Sequence, residues 1–217
     1  MVKKIVDTWK TKSWYSVTAP KFLNEVEVAQ VIATDEEHLL NRIIKVPLKD
    51  ITRDFSHVYT TLKLRVCEIK GKTAYTKFIG HEMAQEYMRA LVRRRRDVLS
   101  VVFSTKSKDG LEFKIKAIIL TNIICSRAQK TALRNLFAEE LKKKTASEDF
   151  GQFIQDVLFG KVSLEMLGKL KKLVPIKKVE IRKTELKEEF DMEGKEIPKE
   201  QAVVPLPSIE QKPEPLQ

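Results

Sequence analysis

The sequence is poor in the residues that most chemistry needs. It has only seven glycines, two cysteines and three histidines in 217 residues. Two cysteines cannot build a disulfide framework. His38, His57 and His81 stand far apart, and no CxxC, HxxxH or HxH spacing occurs, so no metal site is expected. The scarce glycines form neither GxGxxG nor a Walker loop, and Gly71-Lys72-Thr73 lacks the upstream spacing and reads as a hairpin turn. GxSxG is absent too. The acidic pairs Glu36-Glu37 and Glu148-Asp149 fall at expected turns or helix starts, where a helix N-terminus explains an acid without catalysis. The longest near-apolar run, residues 117–125, is far too short to span a bilayer. No cofactor and no enzymatic activity are therefore expected.

What is abundant is positive charge. Lysine and arginine number 41 against 30 acids, a net of +11. The excess is uneven. Residues 185–217 carry nine acids and four lysines, whereas residues 1–184 carry 37 bases and 21 acids. Five of the eight prolines lie in the acidic tail, which has no aromatic residue after Phe190 and reads as disordered. Val203–Pro207 reads as plain tail rather than a docking peptide. The expected organisation is an N-terminal arm (1–22), a folded body (23–184) and a flexible tail (185–217). A basic body of this kind suits a soluble intracellular protein with a polyanionic partner.

Hydrophobic patterning gives the elements. Strands are predicted at 26–34, 42–48, 58–69, 73–80, 98–105, 113–119 and 179–184, with turns at Gly71 and Asp109-Gly110. Phe113, Ile115, Ala117 and Ile119 share one face, with Lys114 and Lys116 opposite. Helices are predicted at 81–96, 126–144, about 148–159 and 164–173. Ser126 and Gln129 form a capping box, Thr145 and Glu148 a second one, and Gly160 ends the third helix. The class is α+β. The number of hairpin-linked strands invites closure into a central, mainly antiparallel β-barrel with flanking helices, behind a basic N-terminal arm.

The candidate binding residues are cationic. In the arm, Lys3, Lys4, Lys10 and Lys12 suit phosphate contact, while the rings of Trp14 and Tyr15 suit core packing better than base stacking. If the 81–96 helix continues, Arg89, Arg93 and Arg96 share a face and Arg94 lies nearer the apolar stripe of Met83, Tyr87 and Leu91; Arg95 completes the run. Guanidinium groups can grip phosphate bidentately, although a solvated helix end is the plain alternative. Arg127, Lys130 and Arg134 form a stripe at i, i+3, i+7, followed by Lys142, Lys143 and Lys144. Lys171, Lys172, Lys177 and Lys178 make the last cluster. Patches dispersed over several elements fit backbone recognition of structured RNA better than base reading.

Several segments, in order, resemble the archaeal and eukaryotic small-subunit ribosomal protein family one, the e-type family unrelated to the bacterial repeat protein of that number. They are KSWYSVTAPKF (12–22), NRIIKVPLKDI (41–51), IKGKTAYTKFIGHEM (69–83), STKSKDG (104–110), SRAQKTALR (126–134) and VPIKKVEIRK (174–183). Asn41 stands where the family commonly has glycine, Lys45 where it has an acid, and Val174 where it has tyrosine. The resemblance spans about residues 8–184. It implies a β-barrel with surrounding helices and a cytoplasmic, ribosomal location. It further implies a place on the small-subunit platform, near the mRNA exit and the 3′ end of small-subunit rRNA. Partners would be rRNA, neighbouring ribosomal proteins and mRNA, with no membrane and no small-molecule substrate. Two other readings compete: a free translation or rRNA-processing factor, and a protein-interaction domain with a docking tail.

Overall fold

A computed structural model describes residues 9–188. Lys3, Lys4 and the stretch from 189 onward, which includes most of the expected tail, lie outside the described residues. The strands are β1 (Ser13–Thr18), β2 (Glu27–Ala33), β3 (Ile43–Pro47), β4 (Thr60–Lys70), β5 (Thr73–Met83), β6 (Val98–Lys106), β7 (Glu112–Thr121) and β8 (Ile176–Leu186). The helices are α1 (Leu48–Thr52), α2 (Gln85–Leu91), α3 (Arg127–Ser147), α4 (Phe150–Leu158) and α5 (Lys161–Leu170).

All seven predicted strands form, and β1 is an eighth. It lies inside the expected arm, so from Ser13 the chain is a sheet strand and not an arm. It pairs antiparallel with β2 and parallel with the start of β5. Its alternation is hidden because Trp14 and Tyr15 are adjacent and so point to opposite faces. Tyr15 and Val17 are buried, whereas Trp14 is 58% exposed, against the expectation that both rings pack inside.

The hub is β5. One edge carries β4 along most of its length, and β3 lies beyond β4. The other edge is divided: Thr73–Tyr75 pair with β1, and Gly80–Glu82 pair with β8, which continues to β7 and β6. The sheet therefore forks and stays open; the expected barrel does not close. Among the described residues, β2, β3 and β6 each keep one edge without a strand partner. Helices do the covering that closure would otherwise provide. Phe113 on β7 packs against Phe150 and Phe153 of α4, with centroids 5.3 and 5.6 Å away. Phe103 on β6 meets Phe137 of α3 edge-on at 6.4 Å. Phe113, Ile115, Ala117 and Ile119 are all buried, as their spacing requires. Cys125 is a small core residue, while Cys67 is exposed.

Apart from α5, which runs Lys161–Leu170 and not 164–173, two helix ends depart from the sequence reading. The 81–96 helix shrinks to α2, because His81–Met83 finish β5 and residues 93–96 form a turn in which Arg95 is left-handed at φ 61°. Tertiary bonds override propensity here. Asp97 exchanges backbone and hydroxyl hydrogen bonds with Thr121, which anchors the entry to β6 and takes the chain out of the helix. The second discrepancy is at α4. Thr145 is buried inside α3, with its hydroxyl 2.6 Å from that of Thr105, so it caps nothing. Asp109 Oδ2, in the β6–β7 turn, accepts from Phe150 N–H at 2.8 Å instead. The Ser126/Gln129 capping box forms in full.

The family departures acquire physical content. Asn41 has φ 63°, a conformation that glycine adopts freely and asparagine tolerates best among the rest. Lys45 lies directly opposite Lys63 in the β3–β4 register. Lys63 is in turn bound to Glu82 at 2.7 Å, within a charge ladder that continues to Lys183, Glu185 and Lys116. Glu185, hydrogen-bonded first by Lys183 and then by Lys116 against some burial, has its pKa lowered to about 2. A lysine facing a lysine is unfavourable in such a ladder. Lys45 also attracts Glu82, so Lys45→Glu exchanges one unfavourable and one favourable interaction for their opposites and is expected to change stability by less than about 0.5 kcal/mol, at low and at high salt alike. Urea unfolding at two ionic strengths checks both.

Candidate nucleic-acid interface

Three cationic clusters, distant in sequence, meet at one end of the β6–β7–β8 ribbon. The register puts Val98, the start of β6, opposite Leu120, near the end of β7, and Leu120 opposite Lys178, near the start of β8. The arginine turn precedes β6, the loop to α3 follows β7, and residues 171–175 lead into β8, whose second residue is Lys177. Side chains tie these connections together. Asp97 Oδ2 accepts from Cys125 N–H at 2.7 Å, and Oδ1 binds Lys130 Nζ at 3.0 Å. These bonds, Cys125 first, hold its carboxyl below the usual carboxylate range. Asn122 N–H donates to Pro175 O at 2.9 Å.

Arg93, Arg94, Arg95, Arg127, Arg134, Lys171, Lys172 and Lys177 are exposed at this end or along the start of α3, and Arg96 is half-buried. Among the described residues, none of these nine makes a salt bridge with a carboxylate. Arg89, on α2, is exposed beside them. The helical face expected for Arg89, Arg93 and Arg96 does not exist, since only Arg89 is helical. The turn leaves Arg93, Arg94 and Arg95 exposed instead. Ile123, Ile124 (68% exposed) and Leu173 add an apolar margin.

Other candidates are placed differently. Lys142 and Lys143 lie about 22 Å along α3 from Arg127. Lys143 binds Glu140 at 3.2 Å, and Lys142 is exposed. Lys144 is mostly buried among Glu165 (2.7 Å), Glu148 and Asp156. Burial opposes its charge, but these carboxylates prevail and raise its pKa. It acts as a structural counter-ion. Lys178 binds Glu180 at 2.7 Å and donates to the Tyr87 hydroxyl; burial again works against the charge and the two partners outweigh it. Lys10 and Lys12 precede β1, at the opposite end of the sheet, with Lys12 Nζ 4.9 Å from the centre of the Trp9 ring. What the sequence concealed was the set of carboxylates that engage Lys130, Lys144 and Lys178; no local pattern pairs Asp97 with Lys130, or Lys144 with Glu165.

Among the described residues, no group of histidine, cysteine and acidic side chains is arranged to hold a metal, and no helix is long and apolar enough to cross a membrane. Comparison with known proteins puts the chain in the class of ribosomal proteins, which are structural and not enzymes. A family model described as the Ribosomal S3Ae family matches residues 1–189, and the chain belongs to that family. It is similar to the small ribosomal subunit protein eS1 of Saccharolobus islandicus strain L.S.2.15, with 36% identity over 193 residues, covering 89% of this chain and 93% of that protein. The same protein of Sulfolobus acidocaldarius is 40% identical over 183 residues, covering 84% and 93%. The Saccharolobus solfataricus protein is 36% identical over 193 residues, covering 89% and 93%.

Proposed function

We propose that this chain is a structural component of the small ribosomal subunit in the cytoplasm, binding and stabilising small-subunit rRNA on the platform near the mRNA exit. The observation that carries the RNA-binding part is the gathering, at one end of the β6–β7–β8 ribbon, of cations from three segments that have no carboxylate partner among the described residues, on a member of a ribosomal family. Exposed guanidinium groups on a turn neutralise phosphates and carry no base code, which suits recognition of a folded RNA by its backbone. The apolar margin at Ile123, Ile124 and Leu173 suits a neighbouring ribosomal protein beside the RNA. Messenger RNA leaving the subunit would pass close by.

Filter binding of the full chain to a folded small-subunit rRNA fragment tests this. Affinity is expected to fall steeply with salt. Replacing Arg93, Arg94 and Arg95 together by serine is expected to flatten the log–log slope by about two to three. An unchanged slope would remove those arginines from the interface. In sedimentation, the protein is expected with the small subunit at about one copy per particle after a moderate-salt wash. Loss in the wash would favour a free factor.

A further inference from the structure

Next to the basic end lies a groove that phosphate neutralisation does not explain. Tyr59, just before β4, stacks on Tyr87 of α2 with centroids 4.7 Å apart and planes 20° from parallel. Tyr87 is locked: its hydroxyl donates to Glu180 at 3.2 Å and accepts from Lys178, whose Nζ lies 5.1 Å from the ring centre. Tyr59 is only half covered, at 48% exposure. Across the groove Phe159, also half exposed, is met edge-on by His57 at 6.0 Å. Between them is a cavity of about 230 Å³, with Ser56, Thr60 and Glu180 supplying polar wall atoms. A second cavity of about 410 Å³ shares the Phe159, Gly160, Lys178 and Glu180 wall and reaches Lys177.

We propose that this groove holds an unpaired RNA nucleobase, stacked with Tyr59, while the flanking phosphate meets Lys177. The inference rests on the RNA-binding reading above. Four features select a base. The stack is pre-formed, so little ordering is lost when a third ring joins it. Lys178, paired with Glu180, orients Tyr87 and forms part of the groove wall. The cavity has room for a flat base and none for an A-form helix, whose bases are turned inward. The groove also continues into the cationic end through α2 and β8, so a strand leaving folded RNA would cross both. An aliphatic peptide would have no use for the lysines, and an acidic one would have no use for a ring stack.

The test compares a short single-stranded RNA with its abasic counterpart by fluorescence anisotropy, using the full chain. Wild type is expected to bind the base-bearing strand about tenfold more tightly. Tyr59→Ala is expected to abolish that difference and Tyr59→Trp to retain it, both keeping the wild-type salt slope on folded rRNA because neither changes a cation. Tyr59 is a surface ring, so the fold tolerates either change. Equal binding of the two strands by wild type would overturn the groove assignment and leave the phosphate-binding reading standing. Failure to bind folded rRNA at all would overturn both. Photocrosslinking in assembled subunits is expected to join Tyr59 to a nucleotide, and attachment to a polypeptide would overturn the proposal.

Discussion

Gly80→Ala is expected to lower the midpoint of thermal unfolding by about 10 °C, equivalent to about 3 kcal/mol in a chain of this size. A Cβ on Gly80 would overlap the Thr184 carbonyl oxygen and stand 3.2 Å from its carbon and 3.5 Å from Glu185 Cα. These are backbone atoms and cannot rotate away. They also belong to the short pairing of Gly80–Glu82 with Lys183–Glu185, through which β5 joins β8. That junction connects the β1–β5 portion of the sheet to the ribbon bearing the basic end, so the β-strands must separate or bend for a methyl group to enter. Gly168→Ala is the control: nothing lies within 4 Å of its added Cβ, and alanine in α5 is expected to raise the midpoint by about 2 °C. A Gly80→Ala midpoint within a degree or two of wild type would show that the junction is looser than its geometry says.

Gly80 also marks how far the sequence could be read. Its place in the IKGKTAYTKFIGHEM segment was visible, but the reason for it was not, because the Thr184 carbonyl is about a hundred residues away. Elements with their own periodicity were legible: Phe113, Ile115, Ala117 and Ile119 alternate and are buried, and the Ser126/Gln129 box starts α3 as written. Elements decided by distant partners were not. β1 hides its alternation behind adjacent rings, and residues 93–96 leave the helix because Asp97 is held by Thr121 and Cys125. The expected barrel closure rests on strand number and on the family resemblance, not on any pattern in the residues. Strand number does not reveal that two strand pairs divide one edge of β5.

The cationic site divides along the same line. Charge runs show where lysine and arginine are plentiful, not which of them are matched. Lys142 and Lys144 look alike in sequence, yet one is exposed and the other is surrounded by three carboxylates from three segments. The aromatic groove was less visible still. Tyr59, Tyr87 and Phe159 belong to separate elements, and Tyr87 reads as one more member of an apolar helical stripe.

The same β5–β8 junction is expected to make the protein acid-sensitive well above the usual carboxylate range. His81 is fully buried there. Its Nε2 lies 3.0 Å from Ile181 O, which can only accept, so Nε2 carries the proton. Nδ1, 2.7 Å from Thr184 Oγ1, then accepts from the hydroxyl, which itself accepts from His81 backbone N–H. Every polar atom is satisfied with the ring neutral. Burial lowers the pKa to about 4, although Ile181 O and the nearby Glu82 favour the charged form. An unfolded chain binds this proton near pH 6.5, whereas the folded one resists until about pH 4. The stabilisation is complete above pH 6.5 and is lost progressively as pH falls towards 4, by about 2 kcal/mol between pH 7 and pH 5. Glu185 acts in a lower window, between its ordinary 4.5 and about 2, so the two losses separate. His81→Gln keeps an N–H for Ile181 and an acceptor for Thr184 but does not titrate. Its stability is expected to be nearly flat from pH 7 to pH 5, while that of wild type falls. Parallel curves in urea unfolding at the two pH values would show that the ring takes up its proton without leaving the junction.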